Sequence, residues 1–477
     1  MPEGAVKTEG VNSASLRPSA SRLDAAQWKI ISVATIGALL SQLDATIVNV
    51  SLSSLAAELH TSLATIQWVT SGYLLTLTLV LPMSGWLVDR VGAKRVYLWC
   101  FLAFTLASAL CGMAWSAPSL IGFRVLQGVC GGLLAPMAQM IIARAAGAQM
   151  ARVIGYMAVP VLAAPILGPV LAGAILQHAS WRWLFLLNLP IGVLAFVLAW
   201  RFLPHDQAET RPRELDWLGL VLLSPALVLF LSGCARVGEP IGWIMLSGSV
   251  ALLAGFLYVE RRKRERALLD LHLFRGKVFG AAALTQFFSN GAIFAGQALA
   301  PMFLIDACGR TPGEMGLMLM PMGLGMLVTY PLMGTLTARF GVRKLAQGGA
   351  LLALVGTLPF VWLARYGLHP YVLAPALFLR GMGLSAIGAP TVSAAYTSVE
   401  RAHLPMATTT MNIVQRLGGP TWTTLCTLLL AWQLNDQVHA AQWMPGPYAS
   451  AFIALCALHG LTCVATTRLP LTLLPVD

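Results

Sequence analysis

The feature that most constrains this chain is a series of long apolar stretches joined by short connections between residues 28 and 468. An apolar stretch of about 18 to 27 residues can cross a hydrocarbon core about 30 Å thick as a helix. The sequence shows fourteen such stretches, and it therefore predicts an all-α membrane protein. Their predicted bounds are 28–52, 64–87, 96–115, 118–143, 153–177, 183–203, 215–234, 241–259, 279–305, 314–336, 345–364, 370–396, 405–431 and 448–468.

Composition excludes a soluble globule. Only 10% of the residues are charged and 57% are hydrophobic, whereas a soluble domain carries about 25% charged residues. The 44 glycines and 27 prolines occur inside apolar runs, which argues against disorder.

Basic residues predict the orientation. An even number of spans puts both termini on one side. If that side is cytoplasmic, 24 of the 31 Lys and Arg residues lie there, and the outer loops hold Arg182, Arg236, Arg310 and Arg365. This asymmetry predicts a multi-pass protein of the inner (plasma) membrane with cytoplasmic termini. The net charge of +12 follows from this topology, and no nucleic acid partner is expected.

Sites for metals, cofactors and catalysis are not indicated. The eight cysteines form no CxxC, the eight histidines form no HExxH, and no GxxxxGK[ST] phosphate loop occurs. We therefore expect no cofactor and no metal, and a membrane-embedded enzyme is the least favoured function.

Two hydrophilic stretches near the middle divide the chain. We expect a cytoplasmic tail (1–27), a six-helix bundle (28–204), a linker with two extra spans (205–278), a second six-helix bundle (279–470) and a short cytoplasmic tail (471–477). An internal repeat supports this division, because six residues recur 249 positions later, and matching positions in two helical halves indicate a duplicated bundle. The pairs are Gly85/Gly334, Leu87/Leu336, Arg90/Arg339, Gly92/Gly341, Lys94/Arg343 and Arg95/Lys344.

Several motifs resemble one family. They are the loop from Gly85 to Arg95, the run from Arg124 to Gly132 in span four, the run from Pro165 to Gly173 in span five, Leu43 to Val50 in span one, and Trp181 to Gly192. Together they resemble the major facilitator superfamily, specifically its fourteen-helix drug:proton antiporters, over nearly all of residues 28–470. Ala164 and Ala172 stand where members of that family often have glycine.

Asp44 is the only acidic residue well inside a predicted span. An aspartate at the bilayer centre costs about 2.5 to 3.5 kcal/mol and is a functional site by default. We favour a proton-coupling role for Asp44, and the alternative is a permanently paired carboxylate that orients the helices. Arg124 must also be paired or hydrated, and its partner is either Asp44 or the backbone carbonyls of span one. Its role is either proton coupling or a structural clamp between spans one and four.

Two further motifs gain a role from the resemblance. In the family, the loop after the second helix acts as a conformational latch, which implies this role for Gly85, Asp89, Arg90, Gly92, Lys94 and Arg95. Positive-inside charge is an equally good explanation of Lys94 and Arg95, whereas Asp89 is the better latch candidate. The antiporter motif includes Pro165, Gly168, Pro169 and Gly173, which indicate a bent helix at the interface of the halves or plain close packing.

Polar and aromatic residues inside spans are candidates for substrate contact. Helical spacing puts Gln286, Asn290 and Gln297 on one face of span nine, and Asn412 and Gln415 lie together on span thirteen. Such stripes face a cavity or bond to another helix. The candidates outside these stripes are Asn49, Gln67, Trp68 and Tyr73.

The sequence thus predicts a secondary active exporter in which protons move inward and a small organic molecule, a drug or a metabolite, moves outward. Such a pump is a candidate for antibiotic resistance. Its expected partners are protons, the cargo and membrane lipid, and a monomer suffices. The alternative is an uncoupled facilitator or a ligand sensor of the same fold.

Overall fold

The computed structural model describes residues 24–146, 149–204, 215–263, 269, 271–438 and 446–471. These residues form helices and turns, with no strand among them. The helices are α1 (Ala25–Val50), α2 (Leu52–Glu58), α3 (Leu63–Ile66), α4 (Trp68–Val80), α5 (Met83–Val91), α6 (Ala93–Gly112), α7 (Ala117–Ala146), α8 (Met150–His178), α9 (Trp183–Leu186), α10 (Asn188–Phe202), α11 (Trp217–Ala235), α12 (Pro240–Lys263), α13 (Lys277–Met302), α14 (Pro312–Thr329), α15 (Met333–Tyr366), α16 (Pro370–Thr397), α17 (Leu404–Val438) and α18 (Gly446–Thr466).

Ten or eleven of the described helical stretches are candidate membrane spans, as expected for an all-α membrane fold. Ten helical stretches of the described residues are long and apolar enough to cross a membrane, and an eleventh is the bent pair α4 and α5, which meet at 57°. One of the ten, Glu314–Tyr366, contains non-helical backbone at Gly341. The helices α8 and α17 are also long, with 29 and 35 residues. The predicted second span is therefore a broken helix.

Local signals set the helix ends. Asp24 caps α1 in a capping box with Gln27, and Thr311 caps α14 with Glu314, so that backbone N–H groups at both starts are bonded. Asp216 caps α11 and forms an ion pair with Lys263 at the end of α12. Burial disfavours the charge of Asp216, but hydrogen bonds from Lys263 and Gly219 outweigh this effect and hold its pKa below the usual value.

The helices form two halves and a hairpin. We call α1–α10 the N-terminal half, α13–α18 the C-terminal half, and the side at which α1 begins and α18 ends the tail side. On the tail side one hydrophobic cluster contains residues of both halves, among them Met137 and Tyr396. On the far side each half has its own cluster, around Ile47 in the N-terminal half and Phe360 in the C-terminal half. The halves therefore meet at the tail side and separate toward the far side.

The hairpin α11–α12 packs beside both halves. Its residues Leu223 and Phe256 share a cluster with Leu81, between α4 and α5, and with Ile413 of α17. Only 17% of the most apolar window of α12 is buried, so most of the hairpin surface is left for lipid.

Candidate functional site

Asp44 lies in α1 and is completely buried, with 0% of its surface exposed. Its Oδ2 accepts a hydrogen bond from Arg124 Nη1 at 2.6 Å, and its Oδ1 accepts bonds from Asn188 Nδ2 at 2.7 Å and Gln127 Nε2 at 3.2 Å. No other carboxylate of the described residues is fully buried. The sequence-predicted acid is therefore held by three donors from α7 and α10.

Arg124 faces Asp44 from α7 and is equally buried. Its Nη1 also donates to Gln127 Oε1 at 2.7 Å, and its Nε donates to the carbonyl of Val69 at 3.3 Å. That carbonyl belongs to α4, so Arg124 bonds to span two and not to a carbonyl of span one. The guanidinium carbon lies 4.2 Å from the ring centre of Tyr73, a cation–π distance.

A further set of bonds fixes the amide of Asn188. Its Nδ2 also donates to Ser108 Oγ at 3.0 Å, and Ser108 Oγ donates to the carbonyl of Phe185 at 2.9 Å. Tyr73 Oη lies 3.3 Å from Ser41 Oγ. Side chains from five helices, α1, α4, α6, α7 and α10, thus supply one connected polar network inside an apolar half.

Glycines allow this close approach. A Cβ at Gly128 of α7 would lie 2.7 Å from the carbonyl oxygen of Tyr73, and a Cβ at Gly192 of α10 would lie 2.0 Å from Thr105 Oγ1. Any side chain at these positions would push α7 away from α4, or α10 away from α6.

The network can respond chemically to a proton. An ionised carboxylate only accepts hydrogen bonds, and here Arg124, Gln127 and Asn188 all donate to Asp44. Protonation removes the partner of Arg124, which cannot lose its own proton. A buried cation without a counter-charge is costly, so protonation of Asp44 would weaken the packing of α1 against α7.

The antiporter motif packs on the same helix as Asp44. A Cβ at Gly168 would lie 2.4 Å from Thr46 Oγ1, which also donates to the carbonyl of Ala164 at 3.3 Å. Gly173 has open space at its Cβ position. The side chains of Pro165, Pro169 and Asn49 lie outside the described part of the structure. Thus α8 touches α1 two residues from Asp44.

The repeated loop has matching backbone in both halves. Gly92 has φ 96° and Gly341 has φ 75°, a left-handed region that favours glycine. A Cβ at Gly85 would lie 3.2 Å from Thr409 Oγ1 of the C-terminal half, and a Cβ at Gly334 would lie 2.3 Å from Arg152 Cβ of the N-terminal half. The first glycine of each copy therefore touches the opposite half.

The charged latch residues lie around this turn. Asp89 is half-buried in the last turn of α5, Arg90 is exposed with its guanidinium 5.5 Å from the Trp86 ring, and Arg95 is exposed at the start of α6. Lys94 is buried, and its Nζ donates to the carbonyl of Leu203 at 2.6 Å. Lys94 thus ties α6 to the end of α10.

Side-chain hydrogen bonds join the halves at the tail side. Gln139 Oε1 of α7 accepts bonds from Tyr396 Oη at 3.0 Å and Asn412 Nδ2 at 2.9 Å. Ser84 Oγ lies 2.7 Å from Thr409 Oγ1. Asn412, predicted as a substrate contact, is therefore part of a seal between the halves in this conformation.

The remaining substrate candidates fall into two groups. Gln286 Oε1 accepts bonds from Asn290 Nδ2 at 3.0 Å and Gln415 Nε2 at 3.1 Å, so the stripes of α13 and α17 meet. Gln297 is exposed, as are Gln67 and Trp68 at the far side. Tyr73 is buried against Arg124 and does not line an open surface.

A second buried arginine lies in the C-terminal half. Arg380 of α16 is 1% exposed, and its Nη2 donates to the carbonyl of Ala292 at 3.0 Å. A Cβ at Gly296 would overlap this guanidinium, 1.5 Å from Nη2. No carboxylate of the described residues pairs with Arg380.

Three polar residues of the Asp44 network were not singled out from the sequence. Gln127 and Asn188 belong to the motifs that carry the resemblance, but motif membership alone does not say which side chains bond to Asp44. Ser108 gives no sequence signal, because a serine in an apolar span usually bonds to its own helix.

Two helical halves that are joined at one side, with a buried charge network inside the N-terminal half, form the arrangement of a multi-pass membrane transporter. Residues 34–423 match the model of the Major Facilitator Superfamily, and the chain belongs to this superfamily. It is a transporter and not an enzyme, as predicted, and the predicted fold class is confirmed.

Relatives and solved structures agree with this assignment. The chain is 32% identical over 424 residues to "Multidrug resistance protein B homolog" of Mycobacterium tuberculosis, covering 87% of this chain and 78% of the relative. It is 33% identical over 363 residues to "Putative multidrug resistance protein MdtD" of Klebsiella pneumoniae, covering 75% and 76%. The proton:xylose symporter XylE has the same fold, with a TM-score of 0.63 at 14% identity over 92% of this chain and 94% of that chain.

Proposed function

We propose that the protein exports a small organic molecule in exchange for protons by alternating access. The observation that carries this proposal is the burial of Asp44 among Arg124, Gln127 and Asn188. A carboxylate with one cationic and two amide donors, placed inside a membrane helix, has an environment that depends on how the helices pack.

The proton step follows from this environment. In the described conformation Asp44 is sealed from solvent, and its two oxygens accept three hydrogen bonds. When the packing opens, water reaches the carboxyl, a proton binds, and the bond to Arg124 breaks. One charge that crosses a membrane at 100 mV supplies about 2.3 kcal/mol, enough for a roughly 50-fold gradient of a neutral cargo.

The contacts between the halves at the tail side, which we call the tail-side seal, support the alternating-access part of the proposal. Gln139, Ser84 and the close contacts of Gly85 and Gly334 hold the halves together on this side. With cytoplasmic termini in the inner membrane, as the basic residues predict, this conformation faces outward. The latch loop lies at the edge of the seal, so we assign Asp89 to control of its opening.

The relatives' names support the cargo class. The names of both relatives refer to multidrug resistance, and the half-exposed Trp68 at the far side offers an apolar surface to a drug-like molecule. We therefore infer export of drug-like compounds, with no cofactor, and two bundles (28–204 and 279–470) that move about the linker.

The test is Asp44→Asn, with Asp306→Asn as the matched control. Asp306 is an exposed carboxylate in the helical turn Phe303–Ala307, which follows α13 on the far side. In inverted membrane vesicles the Asp44 variant is expected to lose the roughly 50-fold accumulation that 100 mV sustains, but to keep exchange of labelled cargo without a gradient. The control keeps both. Gradient-driven accumulation that persists in the Asp44 variant would support the alternative, an uncoupled facilitator or a sensor.

A further inference from the structure

Arg416 lies on the face of α17 that meets the N-terminal half. Thr409 contacts Ser84 at 2.7 Å, and Asn412 contacts Gln139 at 2.9 Å. Positions 409, 412 and 416 share one face of a helix, because residues three and four apart are neighbours. Arg416 is therefore one turn farther from the tail side than the seal, where the halves begin to separate.

No carboxylate of the described residues forms an ion pair with Arg416. The side chain is partly exposed, and across the gap it is within electrostatic reach of Tyr73. An arginine inside a membrane protein faces the interior or a water-filled cavity and marks a substrate or ion pathway. Asp44 already has three donors, so the charge of Arg416 is left for another partner.

An aromatic side chain lies next to this cation. Phe294 of α13 is 50% exposed, and a Cβ at Gly419 would lie 2.8 Å from its ring. Gly419 follows Arg416 by three residues, so the ring rests on α17 one turn beyond the guanidinium. Asn290 precedes Phe294 by one turn of α13. The wall between the halves thus presents a cation, an amide and a half-exposed ring.

We propose that Arg416 binds the acidic group of the cargo, and that the transported compounds include organic anions with a flat apolar body. A guanidinium recognises a carboxylate or sulfonate through paired N–H donors, and the Phe294 ring packs against the apolar body. This proposal rests on the proposed function, because it requires that cargo pass between the halves.

The test compares 2-naphthoate with its neutral isostere 2-naphthamide, by calorimetric titration of the full chain in detergent. The wild type is expected to bind the carboxylate at least about tenfold more tightly, one charge-assisted bond being worth about 1.5 to 3 kcal/mol. Arg416→Gln is expected to abolish this preference while binding of the amide stays within about twofold. Arg416→Lys retains part of it.

The matched control is Arg236→Gln, which removes one exposed arginine at the far side. The Arg236→Gln variant is expected to keep the preference for 2-naphthoate over 2-naphthamide. If Arg416 acted only through the net charge of the protein, both variants would lose this preference equally. Equal binding of the two probes by the wild type, binding of neither, or an unchanged preference in Arg416→Gln overturns the proposal. Because no proton gradient is present, the outcome does not depend on whether Asp44 couples transport to protons.

Discussion

Among the described residues, each half buries an arginine against its first long helix, but only Arg124 is paired with an acid. Asp44 lies 19 residues after Ala25, the first residue of α1, and Gly296 lies 19 residues after Lys277, the first residue of α13. Arg124 forms an ion pair with Asp44, whereas the guanidinium of Arg380 lies directly over Gly296.

This difference assigns different tasks to similar scaffolds. In the N-terminal half the cation is paired with a carboxylate, so under the proposed function its packing depends on a proton. In the C-terminal half a carbonyl and a glycine take the place of that partner, and the packing does not depend on one. Proton coupling is thus expected from the N-terminal half, and the packing of the C-terminal half is expected to stay unchanged when a proton binds.

The largest expected effect separates the two arginines. Arg124→Met leaves Asp44 as a buried, unpaired charge and is expected to destabilise the protein by about 3–5 kcal/mol. Arg380→Met removes a buried cation that has no counter-charge and is expected to leave stability unchanged or to raise it. Thermal unfolding of the purified variants measures both. Equal losses of stability would remove the distinction between the halves.

Asn188→Ala is expected to cost about 1.5–3 kcal/mol, because it removes a hydrogen bond to a charged group. Ser108→Ala is the matched control, since it removes the other bond of the same amide and leaves Asp44 untouched; it is expected to cost about 0.5–1.5 kcal/mol. Unfolding midpoints and gradient-driven efflux are the measurements. If the serine variant were the worse of the two, Asn188 would serve packing and not Asp44.

Gly296→Ala introduces a methyl group into the space that the Arg380 guanidinium occupies. Overpacking is expected to cost about 1–3 kcal/mol, while the ratio of protons to cargo stays unchanged. Gly323→Ala is the control, because a Cβ there meets no atom within 4 Å. A changed ratio in Gly296→Ala would show that the C-terminal half takes part in coupling.

The smallest effect concerns the seal between the halves. Gln139→Ala removes the acceptor of Tyr396 and Asn412, and a hydrogen bond contributes about 0.5–1.5 kcal/mol. The balance between the two conformations is expected to shift about two- to tenfold away from the tail-closed one. Accessibility of a single cysteine to a thiol reagent on each side measures the shift, and an unchanged pattern would exclude Gln139 from the seal.

The sequence was sufficient for the fold class, because each apolar span and each motif can be recognised within a short stretch of chain. It also singled out Asp44, since an acid in an apolar run is rare. It left open whether Arg124 would meet Asp44, and it did not single out Asn188, which is 144 residues from its partner. It placed Asn412 on a face that meets either a cavity or another helix, and in the structure Asn412 bonds to Gln139, 273 residues away. Spacing along one helix says which face is polar, but not which helix that face meets.

The hairpin α11–α12 touches Leu81 of one half and Ile413 of the other in a single apolar patch. Any change of angle between the halves must slide this patch, since the hairpin cannot follow both partners at once. Leucine and isoleucine side chains permit such slippage without breaking directed bonds. Under the proposed alternating access, α11 and α12 would let the two halves slide past each other, and a substitution that stiffens this apolar contact is expected to slow the whole cycle.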